Sequence, residues 1–234
     1  MIETNRTTKQ LKQAAPYITA YVFFWSCIYL YNYWSAFNIN PLPYISFNEI
    51  ITNSSAIISQ ASIFALIILI IEAITPKIFR EQITEEDKEK NTLQLAMYLI
   101  AGAITTAAFF IWGNDYEYLR YLTYSTMIAA TRPLSLTEFF QKSFDSYPTR
   151  VAIASFTIFL PISAIITPTY KAYDIRNNKG EQDIITRTSG LCKNGCILVG
   201  KLGDYFMILD KSNIPHMLKS SEMPIFSISQ IKFK

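Results

Sequence analysis

Few side chains in this 234-residue chain are equipped for chemistry. There is one histidine, His216, and there are three cysteines, Cys27, Cys192 and Cys196. Cys192-Lys-Asn-Gly-Cys196 forms a C-x3-C pair. A structural zinc needs about four ligands, and His216 alone could join the pair without recruiting carboxylates. The tail that carries the pair is assigned below to the cytoplasm, where disulfides are rare. The spacing therefore reads first as a plain hairpin turn, ahead of a metal site or a redox pair. Cys27 lies in an apolar block, where a thiol behaves as a small hydrophobe. The phosphate-cradling, dinucleotide, zinc-protease and nucleophile-elbow motifs are all missing from the sequence. The expectation is a protein with no catalytic group, no metal site and no cofactor.

The charge that stands out is Glu72, at the end of a long apolar block. An ionisable group inside a membrane is expensive and by default suggests function. Near a span end, the carboxylate can instead snorkel to the headgroups or pair with Lys77. Gln60 is the other polar candidate of that block and is expected to hydrogen-bond a neighbouring helix. Further on, Glu85, Glu86 and Asp87 follow Thr84 as a helix start would, with acids complementing the helix dipole. They are read as a solvated helix end or as a docking patch for a cytosolic partner.

These residues are positioned by apolar blocks. Hydrophobic residues make up 50 % of the chain and charged residues 17 %, against roughly 25 % charged in an ordinary soluble domain. The apolar residues gather in four blocks of about membrane-crossing length: 16–36, 55–75, 93–112 and 151–168. That excludes an ordinary soluble enzyme, a disordered chain and a secreted disulfide scaffold. The expected fold is an α-helical membrane protein of four transmembrane helices, residues 16–168, behind a cytoplasmic leader, 1–15. The first block is too long for a signal peptide and lacks a small-residue exit.

Orientation follows the Lys/Arg bias of short loops. The leader carries Arg6, Lys9 and Lys12, segment 37–54 carries neither Lys nor Arg, and segment 76–92 carries Lys77, Arg80, Lys88 and Lys90. Both termini are expected in the cytoplasm of a bacterial inner-membrane protein. Segment 113–150 is expected outside as two short amphipathic helices, lying on the outer leaflet or against the bundle. In the third block, Gly102 and Thr106, with Ala103 and Ala107, permit close helix packing. Pro161 frees a carbonyl in the fourth block and predicts a kink.

Beyond residue 168 the pattern changes to short β-rich runs punctuated by turn signals at Asn194-Gly195, Gly203-Asp204 and Lys211-Ser-Asn213. Residues 169–234 are expected to form a small cytoplasmic β-rich module, SH3-like or an open barrel. Its core is too thin to stand without support from the bundle, an oligomer neighbour or a partner.

Four spans, an outer segment, a small β module and no catalytic motif resemble the membrane subunit of Kiwa-type antiviral defence systems. The resemblance is one of layout over most of the chain. It implies a bacterial inner-membrane protein that detects phage infection and works with a cytosolic, DNA-binding effector. The resulting expectation is a non-enzymatic sensor and scaffold. Its partners would be the lipid bilayer, further copies of itself and the cytosolic protein, with no direct nucleic-acid binding. The alternatives are an oligomeric pore with Glu72 near its inner mouth, and a bacteriocin-immunity-like membrane protein.

Overall fold

A computed structural model describes the backbone of residues 2–74, 85–112, 118–186, 192, 195–222 and 227–233. Among these residues six helices precede a sheet: α1 (Ile2–Ser35), α2 (Phe47–Ile74), α3 (Glu85–Trp112), α4 (Tyr118–Ser135), the single turn and a half of α5 (Glu138–Ser143), and α6 (Tyr147–Arg176). Five strands follow: β1 (Gly180–Thr186), β2 (Cys196–Leu202), β3 (Tyr205–Leu209), β4 (Pro215–Lys219) and β5 (Ser227–Phe233). The chain divides into two compact units, one of Met1–Trp25 with Ser55–Ile166, the other of Ser26–Ser54 with Thr167–Lys234.

Among the described residues, three helices are long and apolar enough to cross a membrane: Phe47–Ile70, Glu89–Trp112 and Tyr147–Arg176, with mean hydropathies of 1.8, 1.9 and 2.0. They carry the second, third and fourth apolar blocks. The first block is helical in α1 but is not among the three. Its five tyrosines, from Tyr17 to Tyr33, dilute the apolar residues.

In the helical unit α6 is the central element. Its apolar window is 61 % buried, against 22 % for that of α2 and 11 % for that of α3. Phe159 of α6 meets Phe64 of α2 and Tyr124 of α4, with ring centroids 4.7 and 6.2 Å apart. α6 continues through Pro161 as one helix to Arg176. Proline cannot donate to the carbonyl four residues earlier, and that carbonyl, of Thr157, accepts instead from the Tyr21 hydroxyl at 2.8 Å. A hydroxyl from α1 thus replaces the missing backbone donor.

Of the two helices expected within 113–150, α4 and α5 are the ones observed, and α4 packs against the bundle. It runs antiparallel along α3, from Tyr118 back to Pro133, whose carbonyl accepts from the Asn91 side chain at 2.9 Å. Gly102 is where the two helices touch, since a Cβ there would collide with the Met127 side chain. The small-residue pattern of the third block is therefore used within one chain. The threonine and serine hydroxyls of α4 are satisfied locally. Thr123 and Ser135, both fully buried, donate to the carbonyls of Leu119 and Arg132 at 3.0 and 2.7 Å. Thr126 donates to that of Leu122 at 3.0 Å. Such back-bonding lets a hydroxyl-rich helix stand in apolar surroundings.

The sheet is antiparallel with order β4-β3-β2-β1-β5. β1, nearest in sequence to α6, pairs with both β2 and β5. β2-β3-β4 is a meander whose first hairpin turns at Gly203-Asp204, with a register shift between Leu198 and Gly200. A 3-10 turn, Ser220–Glu222, lies between β4 and β5.

Tyr21→Phe should cost roughly 1 kcal/mol, the scale of a side-chain hydrogen bond in a membrane bundle. The cost should shrink in a Pro161→Ala background, where an alanine N–H restores the helical bond to Thr157. Unfolding of the solubilised full-length chain, read as a double-mutant cycle, checks this. Additive penalties would contradict it.

Candidate functional site

The second unit joins helix ends to the sheet around one carboxylate. Ser46 and Glu49 open α2 as a capping box: the Glu49 N–H donates to the Ser46 hydroxyl at 3.3 Å, and the Ser46 N–H donates to Glu49 Oε2 at 2.9 Å. The other oxygen, Oε1, accepts from the Gly203 N–H of the β2–β3 turn at 2.6 Å. Beside it the Tyr44 and Tyr205 rings meet edge to face at 5.4 Å. Gly203 has φ +59°, and a Cβ there would lie 2.6 Å from the Tyr44 carbonyl oxygen. Only glycine meets both demands without strain.

Residues 39–54 and the β2–β3 turn of the sheet therefore meet at the first-turn end of α2. The sheet's core is also not its own. Ile197, Val199, Leu202, Met207 and Leu209 are buried together with Trp34 and Phe37 from the end of α1 and Ala172 of α6. The Tyr33 hydroxyl donates to the Val199 carbonyl at 2.9 Å. Gln182 of β1 turns its amide back onto the last turn of α6, donating to the carbonyls of Asp174, Ile175 and Lys179 at 3.1, 3.3 and 3.2 Å. Side-chain capping of this kind satisfies carbonyls that a helix end leaves open.

Against this frame stands a cleft of about 250 Å³ lined by Tyr29, Leu30, Tyr33 and Trp34 of α1, Glu49 of α2, Lys171 of α6, and Gly200 and Lys201 of β2. The Lys171 ammonium lies 6.0 Å from the Tyr29 ring centroid, and that of Lys201 lies 5.8 Å from the Phe206 ring. Both lysines are exposed. Among the described residues neither forms an ion pair, and both Glu49 oxygens already accept backbone N–H groups.

Cys192 and Cys196 are joined in a disulfide, which corrects their reading as a plain turn. Both are buried in a small cluster with Ile185 and Ile208. His216 does not approach them as a ligand. Its Nε2 lies 3.2 Å from Asp210 Oδ2. The N–H groups of Ile214 and Ser212 donate to Asp210 Oδ1 at 2.9 and 2.8 Å. These bonds, that of Ile214 foremost, hold the Asp210 carboxyl below its usual range.

The residues singled out from sequence stand elsewhere. Gln60 lies on α2 with its side chain exposed. Glu72 lies near the end of α2, and Glu85, Glu86 and Asp87 form the first turn of α3. The side chains of these four, and the expected Lys77 partner of Glu72, fall outside the described residues. Glu49, Lys171 and Lys201 were not singled out, while Tyr29 was expected only as one of several aromatic rings near a membrane interface. The one legible signal was Ser46-Phe-Asn-Glu49, which has the capping-box spacing. Comparison with protein-family models, with curated proteins and with solved structures finds no match for this chain.

Gly203→Ala should destabilise the chain by clearly more than the ~1–2 kcal/mol that a left-handed backbone costs an L-residue. Gly180→Ala is the control, because φ is +76° there with open space around the added Cβ. Equal thermal shifts would show that the approach to Tyr44 does not matter. The Asp210 contribution has a definite pH sign. A lowered carboxyl pKa adds stability above the ordinary carboxylate range, and that stability is lost as the pH falls through the lowered value. Asp210→Asn should therefore lower stability at neutral pH, and its difference from the parent chain should vanish in acid.

Proposed function

We propose that this chain is a non-enzymatic membrane sensor and scaffold with five crossings, α1, α2, α3, α4 and α6, and with its β module outside the cytoplasm. The observation that carries the reading is the Glu49–Gly203 contact. If residues 39–54 and the sheet share one side, an even number of crossings must separate them. The three helices of highest hydropathy give an odd number. Counting α4, which returns along the length of α3, gives four and closes the path.

The charges support the same arrangement. With the leader inside, Arg132, Lys142 and Arg150 join Lys77, Arg80, Lys88 and Lys90 on the cytoplasmic side, and the segment bare of Lys and Arg stays outside. The ten Lys and Arg residues after Pro168 belong to a folded module of the kind that translocates largely regardless of charge. The Cys192–Cys196 bridge suits an oxidising compartment. The strand order, with a 3-10 turn before the last strand, supports an SH3-like module left open between β4 and β5.

On the inner face, Glu85, Glu86 and Asp87 begin α3 and offer an acidic surface to a cytosolic partner. In the Kiwa-type reading that partner is a DNA-binding effector, and the chain itself makes no contact with nucleic acid. The sensor would face outward and the effector inward, in a bacterial inner membrane. The exposed amide of Gln60 on an apolar helix supports self-association, because a polar group facing lipid gains from a partner.

Reporter fusions after Asn53 and Lys234 should read outside, and insertions at Lys90 and Ser143 should read inside. A cytoplasmic readout at Lys234 would sink the five-crossing arrangement. Reversing the charges of Glu85, Glu86 and Asp87 should abolish recovery of the co-purifying cytosolic protein, while Glu72→Gln should leave it intact. The opposite pattern, with altered ion flux in Glu72→Gln, would favour a pore.

A further inference from the structure

We infer that α2 packs in parallel against α2 of a second copy of this chain, along a seam of Ala56, Gln60, Ile63, Ile67, Ile70 and Ile74. The inference deepens the self-association named above and rests on that part of the proposed function alone.

Within the chain α2 turns one stripe inward: Ile57, Ala61, Ala65 and Ile68 are all buried. The six seam residues lie roughly a third of a turn away around the helix, and all six are exposed. Gln60 falls near the middle of the apolar stretch Phe47–Ile70. Among the described residues its amide has no hydrogen-bond partner. An amide carries two donors and an acceptor, and the bilayer core offers neither kind of partner. Leaving it unpaired there is costly. A second Gln60 supplies a donor and an acceptor at once. Copies of one chain cross a bilayer in the same direction, so packing in parallel brings residue 60 to residue 60.

Spacing decides which neighbours share the seam. Two helices in contact along their length meet through residues that alternate four and three apart. Gln60 can hold either of two places in such a repeat. In one, its neighbours are Ile57 and Phe64. Ile57 is buried, and the Phe64 ring already meets Phe159 at 4.7 Å. In the other, its neighbours are Ala56 and Ile63, both exposed, and the repeat continues through Ile67, Ile70 and Ile74. Ala56, one turn before the amide, lets two backbones come close. A single polar residue in an apolar seam of this kind fixes its register.

The test uses the full-length chain with Cys27→Ser in native membranes, where the Cys192–Cys196 bridge leaves no other thiol. Single cysteines are added as Ile63→Cys and Ile67→Cys on the seam, and as Ser62→Cys on another exposed face. Mild oxidation should link the two seam variants into products of twice the chain mass and leave Ser62→Cys unlinked. In mild detergent, Gln60→Leu should raise the concentration at which the copies separate about tenfold, the scale of a hydrogen bond between helices in lipid. Gln60→Asn, which keeps an amide, should separate less readily than Gln60→Leu. Leucine makes the span more apolar, so Gln60→Leu should insert and melt as the parent does. Equal linking at positions 62 and 63, a product of any other mass, or a Gln60→Leu chain that separates no more readily than the parent would overturn the inference. Contact between copies does not depend on which side faces out, so its failure is distinct from a failure of the fusion mapping.

Discussion

One carboxylate, Glu49, links the two halves of the second unit, Ser26–Ser54 and Thr167–Lys234. The first turn of a helix has open N–H groups that must be satisfied. Ser46 and Glu49 meet that need with a capping box that uses only one of the two carboxylate oxygens. The free oxygen takes the Gly203 N–H, so a local helix cap also becomes a long-range contact 154 residues away in sequence. The contact stands only because residue 203 is a glycine. Any side chain would press on the Tyr44 carbonyl and part the turn from the cap.

That same contact governs how α4 is understood. By composition α4 would make a mediocre span, with Arg120 and Arg132 near its ends and threonines and serines between. Its hydroxyls, however, return their hydrogen bonds to its own carbonyls, and its last turn is tied to the start of α3 through Asn91. Hydropathy counts a threonine as polar whether or not its hydroxyl is already satisfied. A scale built on transfer energies undervalues such a helix, and parity across the Glu49 contact restores the missing crossing to the proposed arrangement.

The second, third and fourth apolar blocks were legible because length and lack of charge decide them locally. The β runs after residue 168 were legible from alternation and turn residues, and Gly203-Asp204 was read correctly as a turn. The disulfide was not legible, because a C-x3-C spacing fits a plain turn, a metal pair or a bridge equally well, and only the 5.2 Å approach of the two Cα atoms decides between them. The cleft was hidden because its walls come from residues 29–34, 49, 171 and 200–201, and no spacing rule joins segments so far apart.

The way the sheet is built limits how it can move. Its core is completed by Trp34, Phe37 and Ala172, and its first strand is tied to the last turn of α6 by Gln182. The sheet cannot shift without moving the ends of α1 and α6. Both helices continue from the sheet into the helical unit, α1 through Trp25 and α6 through Ile166, so a displacement of the sheet is passed along their own backbones rather than through side-chain contacts alone.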